Sequence, residues 1–205
     1  MTGRTARTAA IAALLTLIVL ALGGLAFIYS GAYNVAASQD HTPLGRWLLG
    51  TVQERSVAAP ADEVPEPPAF DSALVSHGFD HFRSMCVVCH GAPGVERGEV
   101  GKGLTPTPPE LSEEAGELTT RELFWITRHG IKMAGMPAFG TTHSDDEIWG
   151  IVAFLQELDG MTAEEYQRRE FRATSGSGGG GEEASGGGEA SGGHSHAPGA
   201  AAHEH

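Results

Sequence analysis

The sequence predicts a mainly α protein, with one small helical domain between a single membrane-spanning helix and a disordered tail. Three observations carry this. An uncharged run of 21 residues, Ala9 to Tyr29, stands near the N-terminus. Between about residues 70 and 166 the apolar side chains recur at helical spacing, with no convincing alternation of period two. After Thr174 the chain is almost wholly Gly, Ser, Ala, Glu and His, with nothing periodic to bury. The chain thus divides into four segments: 1–37, a cytoplasmic N-terminus and anchor; 38–69, a membrane-proximal helix and Pro-rich linker; 70–166, the folded domain; and 167–205, the tail.

At about 1.5 Å per residue the apolar run is long enough to cross a hydrocarbon core. Arg4 and Arg7 precede it, and no Lys or Arg follows until Arg46. That asymmetry leaves the N-terminus in the cytoplasm and exports the rest. A cleaved signal peptide is the rival. Its apolar core usually runs only about 7–15 residues, and the small residues Val35-Ala36-Ala37 lie several positions beyond the helix end. A retained anchor is therefore expected. Pro43 to Val57 predicts a short amphipathic helix with Trp47 and Leu48 suited either to a membrane surface or to ordinary packing. Pro60, Pro65, Pro67 and Pro68 make residues 58–69 a semi-rigid spacer.

Within the domain, Asp71 or Ser72 caps a helix that leads into Cys86, with Leu74, Val75, Gly78, Phe79 and Phe82 facing inward. Gly91 to Leu111 is rich in Gly and Pro and predicts a loop. Thr119 or Thr120 opens a second helix, Arg121 to His129, which Gly130 ends. Ser144 and Glu147 form a capping box ahead of Ile148, Ile151, Val152, Leu155 and Leu158. The net charge of −13 argues against nucleic acid, whose phosphates would repel such a surface.

The two cysteines stand in Cys86-Val87-Val88-Cys89-His90. Two thiols at this spacing can each add to one vinyl group of a haem, and the next residue then offers an imidazole to the iron. A zinc site would want further ligands at suitable spacing, and no second cysteine pair exists. A redox dithiol would want a βαβ setting, which the pattern lacks. One covalent haem c on Cys86 and Cys89, with His90 as an axial ligand, is the expectation. The sixth ligand is sought in Gly130 to Gly140, which contains Met133 and Met136. Residue types alone leave the two open, and they admit His129 or His143 as less favoured substitutes.

Residues 70–166 resemble a class I cytochrome c. The phrases Cys-His-Gly-Ala-Pro-Gly, Leu-Phe-Trp-Ile, Gly-Met-Pro-Ala-Phe-Gly and Glu-Ile-Trp-Gly-Ile-Val-Ala-Phe-Leu resemble those of small bacterial membrane-anchored monohaem cytochromes. The resemblance implies the class I fold, with the first helix crossing the last so that Gly78 and Phe82 meet Phe154. It implies Met136 as the second axial ligand, and a carbonyl of Leu104 to Pro109 accepting from the ring N–H of His90. Trp125 would pack on the haem or reach a propionate, unless it is simply a core aromatic. The implied work is one-electron transfer, not enzymatic turnover, in a respiratory chain. Lys102, Arg128 and Lys132 are candidates for the haem edge. The partners would be a dehydrogenase or terminal oxidase at the bacterial cytoplasmic membrane, with the haem domain on its periplasmic side. Two alternatives remain: Cu, Ni or Zn handling by His194, His196, His203 and His205, and gas or peroxide chemistry if the methionine is labile.

Overall fold

A computed structural model describes residues 3–177, and among these no β-strand forms; two isolated bridges, Ala92 with Val95 and Ile131 with Met136, close turns. Helix α1, Gly3–Tyr29, buries no residue and is long and apolar enough to cross a membrane. Helix α2, Pro43–Ala61, is opened by Thr42, whose hydroxyl accepts from the Gly45 amide.

The frame of the domain is the crossing of α3, Ser72–His81, and α8, Asp145–Leu158. Asp71 caps α3 by accepting from the Leu74 amide at 2.8 Å. Ser144 and Glu147 close the expected box on α8, with Glu147 accepting from the Ser144 amide at 2.7 Å. At the crossing the two backbones touch: a Cβ added to Gly78 would fall 1.8 Å from the Gly150 carbonyl oxygen. Only glycine allows that approach, and it brings Phe79 and Phe82 to 5.1 and 5.0 Å of the Phe154 ring. Tyr166 packs edge-on against Phe79 from the far side. Helix α7, Thr120–His129, carries the second predicted capping box, Thr119 with Glu122, and stacks Phe124 on Trp149 of α8 at 4.1 Å.

Three short α-helical turns also belong to the domain: α4, Val87–His90; α5, Glu99–Lys102; and α6, Leu111–Glu114. Helix α9, Ala163–Ser177, is the last described element.

Two sequence expectations require correction. Residues 58–69 are not wholly the semi-rigid spacer that their prolines suggest. Helix α2 runs on through Pro60 in its final turn, buries Val57 and Ala61, and packs on α7; Val64 joins the core and Glu66 pairs with Arg121. Ala58, Ala59 and Ala61 are strong helix formers, and a proline in the last turn forfeits little. Nor does order stop at 166. Thr162 and Glu165 form a capping box for α9, and the Arg169 guanidinium lies over Phe79 and Phe154 at 5.4 and 5.1 Å while pairing with Glu157. The helix is polar enough to resemble tail, yet its one inward stripe is held by Tyr166, Arg169 and Ala173. The expected metal-handling histidines, His194, His196, His203 and His205, lie outside the described residues.

Candidate haem-attachment site

Helix α3 does not run straight into the cysteine motif. Between Phe82 and Cys86 the backbone widens into one π-helical turn, and the Ser84 hydroxyl donates to the Asp80 and His81 carbonyls within it. Such a widening shifts the register of the next turn, and it is common beside functional residues. It delivers Cys86 at the entry to α4, which ends where Gly91 adopts φ 71°. Cys86 and Cys89, three positions apart, therefore share one side of a helical turn.

The loop after the motif is packed hard against it. The Gly98 amide donates to the Val88 carbonyl at 3.1 Å. A Cβ on Gly101 would fall 2.4 Å from the Cys89 carbonyl oxygen, so α5 rests directly on the attachment turn. The chain then returns through Leu104 to Pro109 beneath His90, and the His90 Nδ1–H donates to the Pro109 carbonyl at 2.9 Å. That carbonyl belongs to the stretch the sequence pointed to. Glu110, the next residue, pairs with Arg97 at 3.3 Å, tying the loop back to the segment after the motif. The Arg97 Nε is buried without a partner.

The electrostatics argue against a thiol redox catalyst. Burial, with help from neighbouring Cys89, pushes the Cys86 thiol up to about 12. A dithiol catalyst needs the opposite, a thiolate stabilised near neutral pH. Both thiols are free, as attachment requires. Burial also lowers the pKa of His90, opposed by the Pro109 hydrogen bond and reinforced by the Arg97 charge. A neutral imidazole whose Nδ1–H is held by a carbonyl keeps its Nε2 lone pair for a metal. Cys86, Cys89 and His90 thus fit a covalently held haem in donor type and spacing.

Between α7 and α8 the two candidate methionines differ sharply. Gly130 at φ 65°, Met133 at φ 64° and Gly135 at φ 77° fold the stretch into a tight hairpin, closed by the Ile131 amide donating to the Met136 carbonyl. Met133 sits at its tip, 93% exposed, whereas Met136 is half-buried at its base. Gly135 lies against the Leu104 side chain, where a Cβ would approach to 2.6 Å. The methionine hairpin therefore abuts the same loop that holds His90.

Other sequence candidates are placed elsewhere. The Trp125 ring lies on that of exposed His129 at 5.0 Å. His143 packs on His81 and Phe139 beside the start of α8. Lys102 pairs with Glu96 and Arg128 with Asp145, leaving Lys132 exposed on the hairpin. Two features escaped the sequence. Arg97 is a cation inside a Gly/Pro loop, a weak signal that only its pairing with Glu110 makes meaningful. His81, packed on His77 one turn earlier on α3, meets His143, a distant neighbour that spacing does not reveal.

Residues 73–155 match the protein family described as cytochrome C oxidase, cbb3-type, subunit III. The matched span runs from α3 to α8 and includes the cysteine motif, Pro109 and Met136. No curated protein matches the chain.

Proposed function

We propose that this chain, a c-type cytochrome domain behind an apolar N-terminal helix, is a membrane-anchored carrier of single electrons with His90 and Met136 as axial ligands. The observation that carries the proposal is the His90 Nδ1–H on the Pro109 carbonyl, directly after two free thiols at haem-attachment spacing.

Cys86 and Cys89 would hold one haem c through thioether bonds, and haem iron supplies reversible one-electron chemistry between its ferrous and ferric states. The protein's part is to fix and tune that group. Pro109 orients the imidazole of His90 and raises its basicity. Met136 would be the second iron ligand, and a methionine sulfur favours the reduced state relative to a second histidine. With both positions filled, no site remains for substrate, so electron transfer is favoured over gas or peroxide chemistry. The partners fitting this role are a respiratory dehydrogenase and a terminal oxidase in the same bacterial membrane, with the haem domain on the periplasmic side. Tethering to one surface raises their effective concentration.

The test uses the full chain in detergent. A covalently bound haem that survives acid–acetone extraction, titrates as a one-electron couple and ignores carbon monoxide when reduced is the expected outcome. Haem lost on extraction, or carbon monoxide bound readily, would refute the proposal.

A further inference from the structure

Helix α2 has two apolar faces, and only one of them is used within the fold. Val57 and Ala61 are buried where α2 packs on α7. At 3.6 residues per turn, nine positions amount to two and a half turns, so Val57 lies opposite Leu48 and Ala61 opposite Val52. That opposite face carries Leu44, Leu48 and Val52 in one stripe, flanked by Trp47. Their exposures are 71%, 52%, 54% and 66%. A continuous row of large apolar side chains open to water marks an interaction surface.

We propose that this face docks on the bilayer that α1 spans, lying at the level of the lipid headgroups. The inference rests on the anchor proposed above. Residues 30–42 alone separate α1 from α2, and at most about 3.6 Å per residue would keep α2 within roughly 50 Å of the helix end. The link is shorter still. Turns form at Ser30 and at Gln39, and the Ala37 carbonyl accepts from the Thr105 hydroxyl. The side chains also suit lipid. Trp47 belongs to the residue type enriched at membrane interfaces, and exposed Arg55, which the same period places between Leu44 and Leu48, can reach up to phosphates from an otherwise acidic protein.

The consequence is geometric. Because α2 is packed on α7, and α7 leads into the Met136 hairpin, a docked α2 holds the haem domain in one orientation instead of letting it swing. The loop that carries the His90 acceptor is tied to the same link through Thr105.

The test places the full chain in phosphatidylcholine nanodiscs carrying a diazirine on the acyl chain, followed by photolysis and peptide mapping. Labelling of the tryptic peptide Trp47–Arg55, reduced at least threefold by Leu48→Asp with Val52→Asp, is the expected result. Peptides from α1 are the internal reference. Labelled α1 with unlabelled Trp47–Arg55 overturns the docking and leaves the anchor standing. Unlabelled α1 overturns both. Labelling unchanged in the double variant overturns the docking too, since mere proximity would then explain it.

Discussion

Replacing Gly78 by alanine probes the crossing on which the haem motif is mounted. The new Cβ would lie 1.8 Å from the Gly150 oxygen, 2.3 Å from its carbonyl carbon and 2.9 Å from the Ile151 nitrogen. All three are backbone atoms, so no side chain can swing aside. Restoring an ordinary carbon–oxygen contact of about 3.6 Å needs α3 and α8 to part by about 1.8 Å. Overpacking alone costs about 1–3 kcal/mol, and the opened gap weakens the ring contacts of Phe79 and Phe82 on Phe154. Alanine's better helix propensity returns about 1 kcal/mol. With the two ring contacts worth about 0.5–1.5 kcal/mol each, the net loss is about 1–5 kcal/mol, a large share of a domain's stability. Gly150→Ala is the control. Its Cβ would meet the Leu74 oxygen at 3.3 Å, a few tenths of an ångström too close, and the same propensity gain should leave it within about 1 kcal/mol of wild type. Guanidinium unfolding of the oxidised protein in detergent, followed by far-ultraviolet circular dichroism, reads both. A Gly78→Ala protein within about 0.5 kcal/mol of wild type, the scatter of surface substitutions, would refute the close crossing.

Glu110→Gln leaves Arg97 uncompensated beside His90 and slackens the loop behind the Pro109 carbonyl. Both changes favour ferrous iron. The midpoint potential should therefore rise; spectroelectrochemical titration showing a fall would contradict the clamp. Burial, with the neighbouring charges of His77 and His143, lowers the pKa of His81, while Glu147 and Asp80 oppose it. The unfolded chain then binds the extra proton first, so this contribution is intact above about pH 6.5 and is lost as pH falls from there towards the lowered folded value. Denaturant midpoints at pH 7.5 and 5.5 should converge in His81→Gln relative to wild type; an unchanged gap would show that His81 does not set the pH dependence.

The parts legible in the sequence were those specified locally. Asp71, Thr119 and Ser144 cap their helices because a short polar side chain beside an apolar period has few other uses, and Gly130 ends α7 through its positive φ. The haem motif was legible because attachment chemistry dictates both spacing and order. The two boundaries were not. Residues 58–69 and 167–177 are poor in apolar side chains, and their order comes from partners far along the chain: α7 for Ala61, Phe79 and Phe154 for Arg169. The choice between Met133 and Met136 was equally closed to spacing. Which end of the hairpin each residue occupies is set by three residues of positive φ and by the seat of Gly135 on Leu104.

The axial pair is tested most directly by the optical spectrum of the oxidised protein, comparing wild type with Met136→Ala and Met133→Ala. His/Met ligation gives a weak sulfur-to-iron charge-transfer band in the far red. That band should be present in wild type, unchanged in Met133→Ala, whose side chain is 93% exposed, and absent in Met136→Ala, which should then bind carbon monoxide when reduced. A band that persists in Met136→Ala, or vanishes in Met133→Ala, would contradict a closed six-coordinate carrier built on His90 and Met136.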